Sequence, residues 1–183
     1  MSAILTKIIN TVYIMKLVMT LLVRDEQDII KENIDFHYAQ GVDYFIVTDN
    51  LSVDKTPAIL QDYVKKGIVH YLSQTDDNYH QCAWVTTMAQ MAVKEFNADW
   101  VINNDADEFW WPKTGNLKQT FSNLAPEINT LQAQCYNFVA IETNNYTEAF
   151  YQYMIYREVM SLNPLGMPLP AKMAHKANEH IIV

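Results

Sequence analysis

The chain has 183 residues, half of them hydrophobic and 19% charged, with only 4 glycines and 6 prolines. That length suits one domain with a substantial core, and the composition excludes disordered, collagen-like and low-complexity chains. Thirteen basic against 21 acidic residues give a net charge of −8, which excludes a nucleic-acid binder in a chain without a basic cluster and means that an anionic ligand needs a cation to bridge it.

The segment from Ala3 to Val23 is apolar, but Lys7, Asn10 and Lys16 interrupt it and no small-residue cleavage site follows. Neither a transmembrane segment nor a signal peptide is therefore expected. A cytoplasmic location is expected, with peripheral membrane contact left open. Met15 opens the run MKLVMTLLVRDE, so residues 1–14 read as an extension or a misassigned start and residues 15–183 as a single domain.

Lys16 to Val23 is a continuous apolar run, the pattern of a strand covered on both faces. Ile30, Ile34 and Tyr38 then recur every four residues, with His37 on the helix face and Gly41 where a C-cap belongs. Tyr44 to Val47 predicts a second strand, ending in a polar turn. Thr56 and Pro57 read as N-cap and first-turn proline of a helix that turns Ile59, Leu60, Tyr63 and Val64 inward. Ile68 to Leu72 predicts a third strand. Tyr79 to Phe96 predicts a helix whose Trp84, Met88, Met91, Ala92 and Phe96 face the core. Trp100 to Ile102 predicts a fourth strand, followed by a helix near Leu117 to Leu124 and a strand near Leu131 to Val139. Cys82 and Cys135 lie in no metal-ligand spacing and read as buried thiols.

Alternating strands and helices imply an α/β fold, with a mostly parallel central sheet and helices on both faces. Ligands of such sheets bind outside the carboxyl ends of the strands. Here those ends read Arg24-Asp25-Glu26, Asp49-Asn50, Ser73-Gln74 with Asp76-Asp77 beyond, and Asp105-Ala106-Asp107-Glu108. Bare carboxylates about 4 Å apart repel by roughly 4 kcal/mol at an effective dielectric near 20, so this edge calls for Mg²⁺ or Mn²⁺. Neither GxGxxG nor GxxxxGK[ST] is present, so glycine amides do not cradle a phosphate. A hard cation on one or two carboxylates, its shell completed by phosphate and water, is the usual alternative, and Asp105 and Asp107 suit it.

The order strand, Arg24-Asp25-Glu26, helix, strand, Asp49-Asn50 with Ser52, Asp54 and Thr56, then Asp105-Ala106-Asp107-Glu108-Phe109 resembles the GT-A glycosyltransferases of the family 2-like group related to the family 92 domain. The resemblance implies a Rossmann-like GT-A fold. It further implies a nucleotide-sugar-binding half over about 16–112 and an acceptor-side half over about 113–183, with a chain that reads as C-terminally truncated. It implies an inverting transferase that moves a sugar from a nucleotide-diphosphate donor, usually a UDP-sugar, to a glycan or other hydroxyl acceptor, with Mn²⁺ or Mg²⁺ at the DxD motif. By that match Arg24, Glu26, Asp49, Asn50 and Asp105 line the nucleotide-sugar pocket, and Asp105 and Asp107 hold ribose and metal. Glu142 and Glu148 lie where inverting members carry a catalytic base. The stretch Lys172-Met173-Ala174-His175 resembles the family's lysine-to-histidine segment, with His175 or His180 as a closing metal ligand. Trp110 and Trp111 are candidates for stacking on an acceptor sugar. Two other classes share these carboxylates: a shortened GT-A domain that binds nucleotide or sugar without turnover, and a metal-dependent nucleotidyltransferase.

Overall fold

The computed structural model describes residues 14–77, 80–139, 154 and 156–178. Among the described residues twelve elements follow one another. They are β1 (Leu17–Val23), α1 (Ile30–Ala39), β2 (Tyr44–Asn50), α2 (Thr56–Lys65), β3 (Val69–Gln74), α3 (Gln81–Lys94), β4 (Trp100–Asn104), α4 (Leu117–Ser122), β5 (Thr130–Ala133), β6 (Phe138–Val139), β7 (Tyr156–Arg157) and β8 (Lys172–Lys176). The main sheet has the order β3-β2-β1-β4-β8-β5. β3, β2, β1 and β4 run parallel, whereas β8 pairs antiparallel with both β4 and β5. β6 and β7 form a separate antiparallel pair.

Strand alternation sends successive side chains to opposite faces, and two cores result. Leu17, Met19 and Leu21 pack with Ile30 and Ile34 of α1, Leu60 and Tyr63 of α2, and Leu117 and Phe121 of α4. Val18, Ile46 and Val101 face the other way, onto Met88, Ala89 and Ala92 of α3. Both faces of the parallel strands are therefore covered, which accounts for their unbroken apolar runs. Strand order reverses between β2-β1 and β4, so the carboxyl ends of β1 and β4 flank the switch point where such sheets hold ligands.

Several expectations are corrected. Tyr38 is 52% exposed, because the inward stripe of α1 is completed by Asn33 and His37, both fully buried. Thr56 is the first helical residue and does not cap α2; its buried hydroxyl instead accepts a bond from the Glu26 amide at 2.8 Å. Cys82 is exposed and Cys135 half-buried. The strand expected near 131–139 is two strands separated by four residues. Among the described residues no helix is long and apolar enough to cross a membrane.

Candidate functional site

Loops after β1, β2 and β4 meet at the carboxyl edge, with the start of the loop after β3 beside them. The first two, after β1 and β2, are laced together. Asp25 takes a left-handed backbone (φ 57°), its amide donates to Ser52 Oγ at 2.9 Å, and its Oδ1 accepts from the Val53 amide at 2.7 Å. The Gln27 amide donates to Asp54 Oδ2 at 3.0 Å, and the Lys55 amide to Gln27 Oε1 at 3.1 Å. These loops carry the polar residues expected near a nucleotide, but with distinct exposures. Asp49 is 3% and Asn50 4% exposed. The Asp49 carboxylate accepts from the Tyr71 hydroxyl at 2.7 Å and from the Ser52 amide at 3.1 Å, and Asn50 Nδ2 donates to the Asp76 carbonyl at 3.0 Å. Burial and the bonded Asp49 carboxylate push the Tyr71 hydroxyl up to about 12. Arg24 stands out from the edge in an exposed 3.0 Å ion pair with Asp77.

The third loop, Asp105 to Glu108, follows β4. Ala106 is buried in the core between the two aspartates, of which Asp105 is half-buried and Asp107 exposed. Buried amide and imidazole groups fasten this turn from beneath. Asn33 Nδ2 donates to the carbonyls of Ala106 at 2.8 Å and Glu108 at 2.9 Å, and Asn104 Nδ2 also donates to Glu108 O at 3.0 Å. The Trp110 amide donates to His37 Nε2 at 3.1 Å. With Nε2 accepting, the ring proton sits on Nδ1, which donates to Asn33 O at 2.9 Å and Oδ1 at 3.0 Å. Burial drives His37 down to about 4, against the Asn33 backbone bond that favours its charged form. Trp110 is buried, with Nε1 donating to Asn104 Oδ1 at 3.0 Å, so it is part of this scaffold and has no face for a sugar; Trp111 is 75% exposed and stacks on Phe36.

Charge at this edge is predominantly negative. Burial, followed by the charges of Asp107, Asp28, Asp54 and Asp105, holds the Glu26 carboxyl above its ordinary range. Glu108 is also raised, chiefly by burial, with Lys172 opposing and Asp105 and Asp107 adding to the effect. Lys172, at the start of β8, lies 2.5 Å from Asp105 Oδ2 and 3.1 Å from Glu108 Oε2. A cleft of about 370 Å³ opens beside them, lined by Thr20, Asn103, Asp105, Lys172 and His175 and floored by Met88.

Asp105 and Asp107 offer the hard carboxylate oxygens that Mg²⁺ and Mn²⁺ take. Among the described residues no three acidic, histidine or cysteine side chains converge to hold an ion by themselves. His175 pairs with Val101, four residues before Asp105 along the chain, and lines the same cleft as Asp105 and Lys172. Glu142, Glu148 and His180 lie outside the described residues. Sequence reasoning missed Asn33 as a support of the acidic turn and read His37 only as a face residue. Their i, i+4 spacing inside the Ile30/Ile34 stripe was the available signal.

The family model of glycosyltransferase family 92 matches residues 18–178. The chain belongs to glycosyltransferase family 92. Among solved structures, residues 1–349 of S. aureus TarS are similar with a TM-score of 0.53 at 15% identity, over 88% of this chain and 47% of that one. The TarS 1–349 complex with UDP-GlcNAc gives 0.44 at 18% identity, over 51% of this chain and 27% of that one. Glucosyl-3-phosphoglycerate synthase from Mycobacterium tuberculosis, in complex with Mn²⁺, UDP and phosphoglyceric acid, gives 0.38 at 20% identity, over 51% and 33%. The chain thus spans less than half the length of these structures. The first likeness identifies the family 92 chain's sheet as a GT-A glycosyltransferase fold. A search of curated proteins gave no significant match.

Proposed function

We propose that this family 92 domain binds a nucleotide-diphosphate sugar, a UDP-sugar by preference, at the carboxyl edge and transfers the sugar to a hydroxyl acceptor with inversion. One observation carries the reading: the edge at the switch point gathers Glu26, Asp105, Asp107 and Glu108, whose mutual charge adds to burial in holding the Glu26 and Glu108 carboxyls above their ordinary range. An anionic donor joins such a surface only with a cation between them. In this reading Asp49 and Asn50 form the floor of the nucleoside pocket, with Arg24 and Glu26 on its rim. Asp105 and Asp107 hold ribose and a divalent cation. A bound Mn²⁺ or Mg²⁺ supplies charge stabilisation to the leaving diphosphate. The chain's own part is to fix the carboxylates in advance: Asn33 and Asn104 brace the turn so that Asp105 and Asp107 do not reorganise as charge develops. A carboxylate base takes the acceptor proton, with Glu142 and Glu148 as its candidates.

Calorimetry with UDP, in Mn²⁺ and in EDTA, tests this on the parent and on Asp107→Asn. Binding is expected to weaken at least tenfold in EDTA and in the variant. Equal affinity in all conditions refutes the metal-bridged donor site. Release of UDP from a UDP-sugar that rises when an acceptor is added then reads out transfer.

A further inference from the structure

The acidic turn has a cation of its own. Lys172 is fixed by strand pairing: β8 pairs with β4 through Val101↔His175 and Ile102↔Ala174, and the same register continued by two residues sets Lys172 opposite Asn104, beside the turn. Its ammonium is 2.5 Å from Asp105 Oδ2 and 3.1 Å from Glu108 Oε2, and its side chain is 26% exposed. Asp105 is also one of the two carboxylates assigned above to the divalent cation. A divalent cation held by Asp105 would be a like charge close beside the ammonium in its present place. Each would weaken the other's hold on that carboxylate. The flexible four-carbon stem allows the ammonium to leave, and the cleft lined by Thr20 and Asn103 opens beside it.

We infer that Lys172 is the resident counter-cation of the acidic turn, a positioning residue that keeps Asp105 and Glu108 paired in the empty protein and competes with the divalent cation for Asp105. This rests on the metal-bridged donor reading, and the test separates the two. Mn²⁺ alone is titrated into the full chain, with free Mn²⁺ followed by electron paramagnetic resonance, for the parent, Lys172→Met and Lys172→Arg. Lys172→Met is expected to bind Mn²⁺ roughly tenfold tighter than the parent in the absence of nucleotide. Lys172→Arg, which restores the charge, is expected to return most of that gain. A merely structural lysine would give the opposite sign, since losing it would loosen the turn and weaken the ion. If Lys172→Met binds Mn²⁺ no tighter while the parent binds Mn²⁺ with UDP, the competition is overturned and the donor reading stands. If no protein binds Mn²⁺ with or without UDP, the metal reading fails and the inference with it. Acylation of the parent's lysines, read by mass spectrometry, needs no variant to fold. Lys172 is expected to react more slowly than the exposed Lys65 and to speed up several-fold when Mn²⁺ is added. An unchanged rate in a protein that binds Mn²⁺ overturns the proposal.

Discussion

Asn33→Ala is the perturbation that most directly connects the buried scaffold to the site. Asn33 is fully buried, and its amide donates to the carbonyls of Ala106 and Glu108. Removing it orphans the Ala106 carbonyl, whereas Glu108 O keeps the Asn104 bond. His37 Nδ1 loses the Asn33 Oδ1 partner but keeps the Asn33 backbone carbonyl. One unsatisfied buried group costs about 1–3 kcal/mol, and the small cavity left by the amide adds about 1 kcal/mol. The expected destabilisation is therefore about 2–4 kcal/mol, which at about 2–4 °C per kcal/mol lowers Tm by roughly 5–15 °C. Because the orphaned carbonyl lies within the acidic turn, UDP affinity in Mn²⁺ should fall as well, by about tenfold. Asn33→Asp should be worse than Asn33→Ala, since it sets an acceptor against the same carbonyls at nearly unchanged volume. Thermal melts and calorimetry read both effects. A Tm within about 2 °C of the parent in Asn33→Ala, or Asn33→Asp more stable than Asn33→Ala, would refute the argument that these bonds secure the turn.

Two further predictions concern the frame around the site. His37 is held near 4 against an ordinary 6.5, so over that interval the unfolded chain binds a proton that the native one does not. Its contribution is complete above about pH 6.5 and is lost as pH falls toward 4, at up to about 1.4 kcal/mol per pH unit. Urea melts of the parent and His37→Gln across pH 4–7 should differ by that slope, and parallel curves would count against a neutral buried imidazole. Gly41 has φ +92°, and a Cβ there would approach Lys118 Cβ at 2.5 Å, whereas Gly67 has φ +76° and open space. Gly67→Ala should then cost only backbone strain, about 1 kcal/mol, and Gly41→Ala at least about 2 kcal/mol; equal costs would mean that Lys118 simply moves aside.

The parallel half of the fold was legible because its signals are local. Continuous apolar runs marked β1, β2, β3 and β4, and helical spacing marked α1, α2 and α3, since both faces of the sheet had to be covered. Beyond Trp111 the reading found α4 and part of the strand region near 131–139 but missed β8, for a physical reason. β8 enters the sheet antiparallel between β4 and β5, a pairing that joins residues far apart in sequence, and its five residues KMAHK have too few apolar positions to announce a strand. Tyr38 and the two cysteines were misplaced because hydrophobic type was taken for burial. Helix α1 fills its inner stripe with Asn33 and His37 to serve the carbonyls of the acidic turn, which spacing alone does not reveal.

The site divides along the same line. Asp105 and Asp107 stood out in the sequence because they follow a strand and flank an alanine, and the structure buries Ala106 while leaving Asp105 half-buried and Asp107 exposed. Their electrostatic setting depends on Lys172, placed by β8. That single ammonium engages Asp105 and Glu108. Among the described residues neither Glu26 nor Asp107 is ion-paired, and the Asp107 charge is the largest neighbouring contribution, after burial itself, to the raised Glu26 carboxyl. One face of the turn is thus compensated from within the chain and the other is left negative. A divalent cation arriving with a diphosphate would meet its strongest attraction on the Glu26–Asp107 side and its competitor on the Asp105 side. Asp107→Asn should accordingly cost more Mn²⁺ affinity than Asp105→Asn, because only the second substitution also removes the carboxylate for which Lys172 competes.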